Sequence, residues 1–168
     1  MNKFMCRRYL LFCVSLFVNA LGIAFITKAA LGTSPITSVT YVLSMFTPFT
    51  IGQWTILLNL LFVILELFLM TREDLKSDLR MYLLQIPISF SFGMFIDLCM
   101  HYILFWLNPV EYVYMIVALL IGCVILAVGI ALEVKANAAM MAGEYFVKVI
   151  TRRFRGEFGF IKLGFVVT

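Results

Sequence analysis

Long stretches without charge dominate the chain and determine its organisation. Nineteen uncharged residues separate Arg8 from Lys28, and 21 separate Glu111 from Glu133. A helix rises about 1.5 Å per residue, so about 20 apolar residues cross a hydrocarbon layer about 30 Å thick. Each stretch therefore predicts one membrane-spanning helix. The first is longer than the apolar run of an ordinary signal peptide and has no good cleavage site, which indicates a retained span.

The region 29–65 carries no charge and is too long for one crossing. Its early part is punctuated by residues that interrupt helices or start them, namely Gly32, Pro35 and Pro48. The pattern predicts a short helix over about 35–46 that does not span, followed by the second span over about 53–70.

The charged run 72–80 predicts a polar connection between the second and third spans. The third span is expected over about 81–100 and the fourth over about 112–132. Residues 158–168 begin a fifth apolar segment of about half the length that a crossing needs. The fold class predicted is therefore all-α, a polytopic helical membrane protein.

Composition agrees with this class, since 64% of the residues are hydrophobic and the mean hydropathy is +1.06. The placement of the positive charges indicates the orientation of the spans. Eleven of the thirteen Lys and Arg residues fall in alternate connections, at Lys3, Arg7, Arg8, Arg72, Lys76, Arg80, Lys135, Lys148, Arg152, Arg153 and Arg155. Basic loops face the cytoplasm, so the N-terminus is expected inside, in the bacterial inner membrane. The expected partner is the lipid bilayer and not nucleic acid.

An internal repeat is the second organising feature. Residues 22–24 and 28–29 read Gly-Ile-Ala and Lys-Ala, and the same residues recur at 129–131 and 135–136, an offset of 107. Three spans separate equivalent points, so the two copies would have opposite orientation, as in many secondary transporters. The predicted repeats are residues 1–107 with three spans and residues 108–168, which are incomplete. The last span and a half are expected to be missing, and the chain to be C-terminally truncated.

Several strings are similar to the YczE/YitT-type bacterial membrane proteins. The most specific is Leu-Gly-Thr-Ser-Pro at 31–35, and Leu-Gln-Ile-Pro at 84–87 and Ile-Asp at 96–97 follow it in the same order. The resemblance covers residues from about 10 to 165. Such proteins have no established substrate, so it implies a multi-pass membrane protein and no particular activity. This chain has Val166 where the family usually has Asp, which agrees with an altered C-terminus.

Candidate substrate-binding residues gather first at the predicted outer end of the first span. Ser34 can cap a helix that starts at Pro35, and Thr33 precedes it in the interruption. A free helix N-terminus beside the ammonium of Lys28 would attract a small anionic solute. The alternative is that Ser34 and Pro35 only turn the chain while Lys28 extends to water.

Asp97 is the second candidate, within the third span. Counting from Arg80 places it near the outer side, at a depth similar to that of Lys28, so a salt bridge between the two is expected. His101 lies one helical turn further, and an Asp-His pair that relays protons is the alternative. Glu66 is expected to reach Arg72 or headgroup water at the cytoplasmic side, and a role in transport is the alternative.

Lys135 and Glu144, together with Glu133, form the inner counterpart of the Lys28 region in the second repeat. In the repeat, the partner of this group would be the residue equivalent to Asp97, which would lie in the missing sixth span. We therefore expect the charges of this group to be incompletely paired in the present chain.

Nothing in the sequence indicates catalysis, because there is one histidine, no nucleophile elbow and no phosphate loop. The four cysteines have no metal-ligand spacing, so neither a metal nor a cofactor is expected. The leading hypothesis is a small-solute transporter or permease built from inverted halves. The alternative is a membrane accessory or interaction protein that transports nothing.

Overall fold

The computed structural model describes residues 3–33, 35–70, 72–107 and 111–136, together with 142–143, 145–146 and 149–150. Within these residues the chain is helical and contains no strand. The helices are α1 (Lys3–Ala29), α2 (Pro35–Phe46), α3 (Ile51–Leu69), α4 (Arg72–Leu98) and α5 (Tyr112–Ala136). A π-helical turn, Cys99–Ile103, continues α4.

In the part of the chain that the structure describes, four segments are long and apolar enough to cross a membrane: Arg7–Ala29, Ile51–Leu69, Tyr82–Ile103 and Tyr112–Ala136. They correspond in order to the four complete spans predicted from the charge pattern. The short helix α2 also has the predicted bounds. Proline fixes the backbone angle that the first helical position requires, which explains the start of α2 at Pro35. The fold class is thus all-α, with the helices of a polytopic membrane protein.

One feature was not predicted. The charged run 72–80 lies between the second and third spans, as expected, but it is helical, because α4 begins at Arg72 and passes through it without interruption. Polarity alone suggested a loop, yet the run consists largely of Arg, Glu, Lys and Leu, which favour helix. The helix of the third span therefore extends well beyond its apolar part.

Helix α1 lies at the centre of the arrangement and packs against α5 on one side and α4 on the other. Helix α3 packs against α4 and also against α2. The buried core includes Phe12, Leu16 and Ala20 of α1 with Phe92 and Ile96 of α4. Large apolar side chains cover the outer surface of the helices, as expected where lipid is the solvent.

Candidate functional site

Helices α1 and α5 cross with their backbones in close contact. A Cβ atom added at Gly22 would lie 2.8 Å from the backbone nitrogen of Leu126, and one added at Gly129 would lie 2.9 Å from the backbone nitrogen of Asn19. Residue numbers fall along α5 as they rise along α1, so the helices are antiparallel. Small residues let two membrane helices approach this closely.

A buried polar pair lies in this crossing. The side-chain amide of Asn19 donates a hydrogen bond of 2.8 Å to Oε2 of Glu133. Asn19 is 3% exposed and Glu133 is 8% exposed. At the end of the same contact, Nε of Arg8 donates to the backbone carbonyl of Ala136 at 3.0 Å. That carbonyl is among the last four of α5, which have no partner within the helix.

A second polar group lies where α3 begins against α4. The carboxylate of Asp97 accepts a 2.6 Å hydrogen bond from Oγ1 of Thr50 and a 2.9 Å hydrogen bond from the backbone N–H of Gly52. Thr50 and Gln53 form a capping box across the same helix end. A negative charge at a helix N-terminus is favourable because of the helix dipole and the free N–H groups. Asp97 therefore stabilises the start of α3.

Glycines again make the close approach possible. A Cβ atom at Gly93 would lie 2.6 Å from the carbonyl oxygen of Gly52, and a Cβ atom at Gly52 would meet the Gly93 backbone and the Asp97 carboxyl. No larger residue fits at either position without moving α3 away from α4. Because Gly52 and Gly93 have no side chains, α3 and α4 approach closely enough for the Asp97 carboxylate to reach the Gly52 N–H.

The predicted salt bridge between Lys28 and Asp97 does not form. Within the described residues no ion pair of 4.0 Å or less joins them, and both oxygens of Asp97 accept hydrogen bonds from the start of α3. The rings of Phe17 and Phe95 meet edge to face, which places Asp97 near the middle of α1. Lys28 is eleven residues beyond Phe17, about 16 Å along the helix.

The error in depth has a simple origin. The prediction counted residues from Arg80 and from Arg8 as though the two spans began level with each other, but the Phe17–Phe95 contact shows that α1 and α4 are staggered. His101 does not pair with the carboxylate either: its Nδ1 lies 3.1 Å from the backbone carbonyl oxygen of Asp97, one turn back along the helix.

The other candidate residues do not gather at one site in the described part of the chain. Lys28 is half-buried in the last turn of α1, Thr33 is half-buried in the following link, and Lys135 is exposed in the last turn of α5. Because α1 and α5 are antiparallel, Lys28 and Lys135 lie at opposite ends of the pair. Ser34 and Glu144 lie outside the described residues.

The sequence prediction missed Asn19 and Thr50. Asn19 is an amide within an uncharged span, eleven residues after Arg8, where a polar side chain needs a partner. The spacing of Thr50 and Gln53 fits the capping-box pattern and could have located the start of α3. Glu133 was noted as a candidate, but its pairing with Asn19 depends on the rotation of two helices about their axes, which the sequence does not specify.

An open groove of about 220 Å³ lies between α1 and α4. Its lining is mostly apolar and includes Phe12 and Leu16 of α1 with Leu84, Ile88 and Phe95 of α4. It reaches none of the polar groups described above. A groove of this composition suits an acyl chain or an apolar side chain better than a charged solute.

Four apolar helices of spanning length among the described residues, with the buried Asn19–Glu133 pair and the half-buried Thr50–Asp97 pair between them, define a polytopic helical membrane protein. The chain belongs to DUF6198, a family of unknown function whose model matches residues 6–168. This match supports an uncharacterised family and does not support the resemblance to YczE/YitT-type proteins. No curated protein matches the chain. No solved structure matches it either.

Proposed function

We propose that the chain is a transporter or permease for a small solute, built from two inverted halves that meet at the contact between α1 and α5. The observation that carries this proposal is the pair of glycine contacts in that crossing. Gly22 lies against residue 126, and Gly129 lies against residue 19. At the sequence offset of 107, Gly22 is equivalent to Gly129 and residue 19 is equivalent to residue 126. The two contacts are therefore equivalent to each other under the repeat.

A two-fold axis in the membrane plane would relate the contacts in this way. Inverted repeats of this kind occur in many secondary transporters, whose binding sites lie at the interface between the repeats near the middle of the bilayer. Asn19 and Glu133 lie at this interface, and ionisable residues within spans mark solute or ion pathways more often than they serve structure alone. We therefore place the pathway beside Asn19 and Glu133.

The solute class follows from the sequence. Lys28 and Lys135 are equivalent in the repeat and lie at opposite ends of the α1–α5 pair. An ammonium group at each end favours a small anionic solute, such as a carboxylate, through electrostatic attraction. On this proposal the lysines attract the solute and the Asn19–Glu133 pair lies along its route.

Uptake by the purified chain in liposomes tests the proposal. Small labelled carboxylates and phosphate should enter these liposomes faster than empty ones, and Glu133→Gln should reduce the rate at least tenfold. Cys123→Ser is the matched control, because Cys123 is exposed on the same helix and should not affect uptake. If no solute enters faster than into empty liposomes, the transporter proposal fails. If Glu133→Gln transports normally, the pathway lies elsewhere.

A membrane accessory protein is the second candidate, and the groove between α1 and α4 favours it. A transporter needs a polar route, whereas this groove is lined by apolar side chains. Much of α5 is also exposed, including Val113, Leu120 and Val124, which leaves an apolar face for another membrane helix. Absence of uptake, together with wild-type folding, would support this candidate.

A further inference from the structure

Glu66 is a buried carboxyl group that neither proposal uses. It lies one turn before the end of α3 and is 0% exposed. Neither of its oxygens has a hydrogen-bond partner in the described part of the chain. An isolated buried carboxylate is costly in a protein interior and more costly at membrane depth. The predicted contact of Glu66 with headgroup water is therefore not observed, because the side chain faces the protein.

Gln85 faces Glu66 from α4. It is 1% exposed, and both its amide oxygen and its amide nitrogen also have no hydrogen-bond partner. Its side chain interacts with the Glu66 carboxyl, although no direct hydrogen bond joins the two. Four buried polar atoms, two from each side chain, thus lie opposite one another between α3 and α4.

The hydrogen-bonding capacities of the two groups identify the missing component. A carboxylate only accepts hydrogen bonds, so it could satisfy the amide nitrogen of Gln85 but not its oxygen. A protonated carboxyl group donates through its O–H and accepts through its C=O. It can therefore pair with both atoms of the amide at once. A small approach of the side chains would close this pair.

Among the side chains that the structure describes, no positively charged group interacts with Glu66 and could balance a negative charge on its carboxylate. Tyr82 of α4 is committed to the backbone carbonyl of Val63 at 3.2 Å. Phe62, one turn before Glu66, stacks on Phe146. The next titratable group on that packed segment is the buried phenol of Tyr145. Arg72, Lys76 and Arg80 belong to the N-terminal part of α4, and the structure does not describe their side chains. Asp97 contacts the start of α3, at the opposite end of that helix from Glu66.

A metal ion fits the site less well than a proton. No group of three or more His, Cys, Asp or Glu residues able to hold one occurs among the described residues. Glu66 and Gln85 offer three oxygen atoms in total, whereas hard cations in proteins take six or more oxygen ligands, some of them from water.

We propose that Glu66 and Gln85 form a proton-binding site within the membrane. The Glu66 carboxylate takes one proton from a hydronium ion, so that a carboxyl O–H bond forms, a hydronium O–H bond breaks and a water molecule is released. The resulting carboxyl group donates to Oε1 of Gln85 and accepts from Nε2. The proposal does not depend on solute transport, since an accessory protein could hold the same pair.

Infrared difference spectroscopy of the purified full chain tests the site. The chain is measured in dodecyl maltoside, a detergent without carbonyl groups, at neutral pH. The spectrum of the wild type should contain a C=O stretching band of a protonated carboxyl group that Glu66→Gln removes. Gln85→Leu should keep the band but shift it to higher frequency, because the hydrogen bond from the amide is lost. Asp97→Asn is the matched control and should leave the band in place.

The alternative is an ionised Glu66 paired with a basic side chain of α4. In that case Glu66→Gln would change only the carboxylate stretching region, and the proposal would be overturned. Should Glu66→Gln fail to fold, as judged by helical circular dichroism, Gln85→Leu decides the question. A shifted protonated-carboxyl band supports the site, and a spectrum identical to that of the wild type overturns it.

Discussion

The amide of Asn19 and the carboxylate of Glu133 are joined by a 2.8 Å hydrogen bond inside the contact of two antiparallel helices. The residues are 114 positions apart in the chain, and each lies about one turn from a glycine of the same crossing. The close backbone approach brings a short amide side chain within reach of the carboxylate. The hydrogen bond and the glycines therefore depend on each other.

Asn19→Leu should lower the free energy of unfolding by about 1–3 kcal/mol, because a buried carboxylate loses a donor. Glu133→Gln should lower it less, since the glutamine keeps an oxygen that accepts from Asn19. Unfolding of the purified chain in mixed micelles measures both changes, and the double variant gives the coupling energy. Strictly additive losses would show that the two side chains do not interact.

Gly129→Ala should destabilise the chain by about 1–3 kcal/mol, because the added methyl group meets Asn19 and has no free volume. Ala131→Val is the matched control, since Ala131 is exposed on the same helix and tolerates added bulk. Thermal unfolding in detergent measures the difference between the two variants. Equal effects would contradict the close contact between α1 and α5.

Asp97→Asn should cost about 1–2 kcal/mol of stability, because the start of α3 loses a charged acceptor for two hydrogen bonds. Lys28→Ala should cost little, and the two changes should be additive within about 0.5 kcal/mol, since the side chains do not touch. The same unfolding measurement applies. A large coupling energy would restore the salt bridge that the sequence predicted.

The orientation in the membrane is tested with reporter fusions. The distribution of basic residues predicts that a reporter fused after Lys76 or Arg153 is cytoplasmic and that one fused after Asn108 is external. Alkaline phosphatase and green fluorescent protein give opposite signals for the two locations. The reverse pattern would place eleven basic residues on the outer side and contradict the predicted topology.

Charge and proline placement were sufficient to locate the helices but not to pair them. The bounds of α2 follow from Pro35 and from the excess length of an uncharged region, which are local features. The start of α4 was missed because a polar run can be either a loop or a helical extension into water, and hydropathy does not distinguish the two.

Side-chain partners were harder to predict, for a geometric reason. The Lys28–Asp97 prediction depended on depth alone, and the stagger of α1 against α4, seen in the Phe17–Phe95 contact, separates the two side chains by more than the length of a salt bridge. The Asn19–Glu133 and Glu66–Gln85 pairs depend on which faces of two helices meet. Neither apolar periodicity nor charge spacing specifies this, because in lipid both faces of a span are apolar.

The two glycine contacts have a mechanical consequence. Where helix backbones touch, as at Gly22 and Gly129 or at Gly52 and Gly93, sliding one helix past the other would force side chains into the space that glycine leaves. Shear within the α1–α5 and α3–α4 pairs is therefore blocked. The pairs meet through larger side chains such as Phe17 and Phe95, whose rings can tilt. Any large-scale motion of the described helices is thus expected to be a rotation of one rigid pair against the other, with its hinge along the seam between α1 and α4.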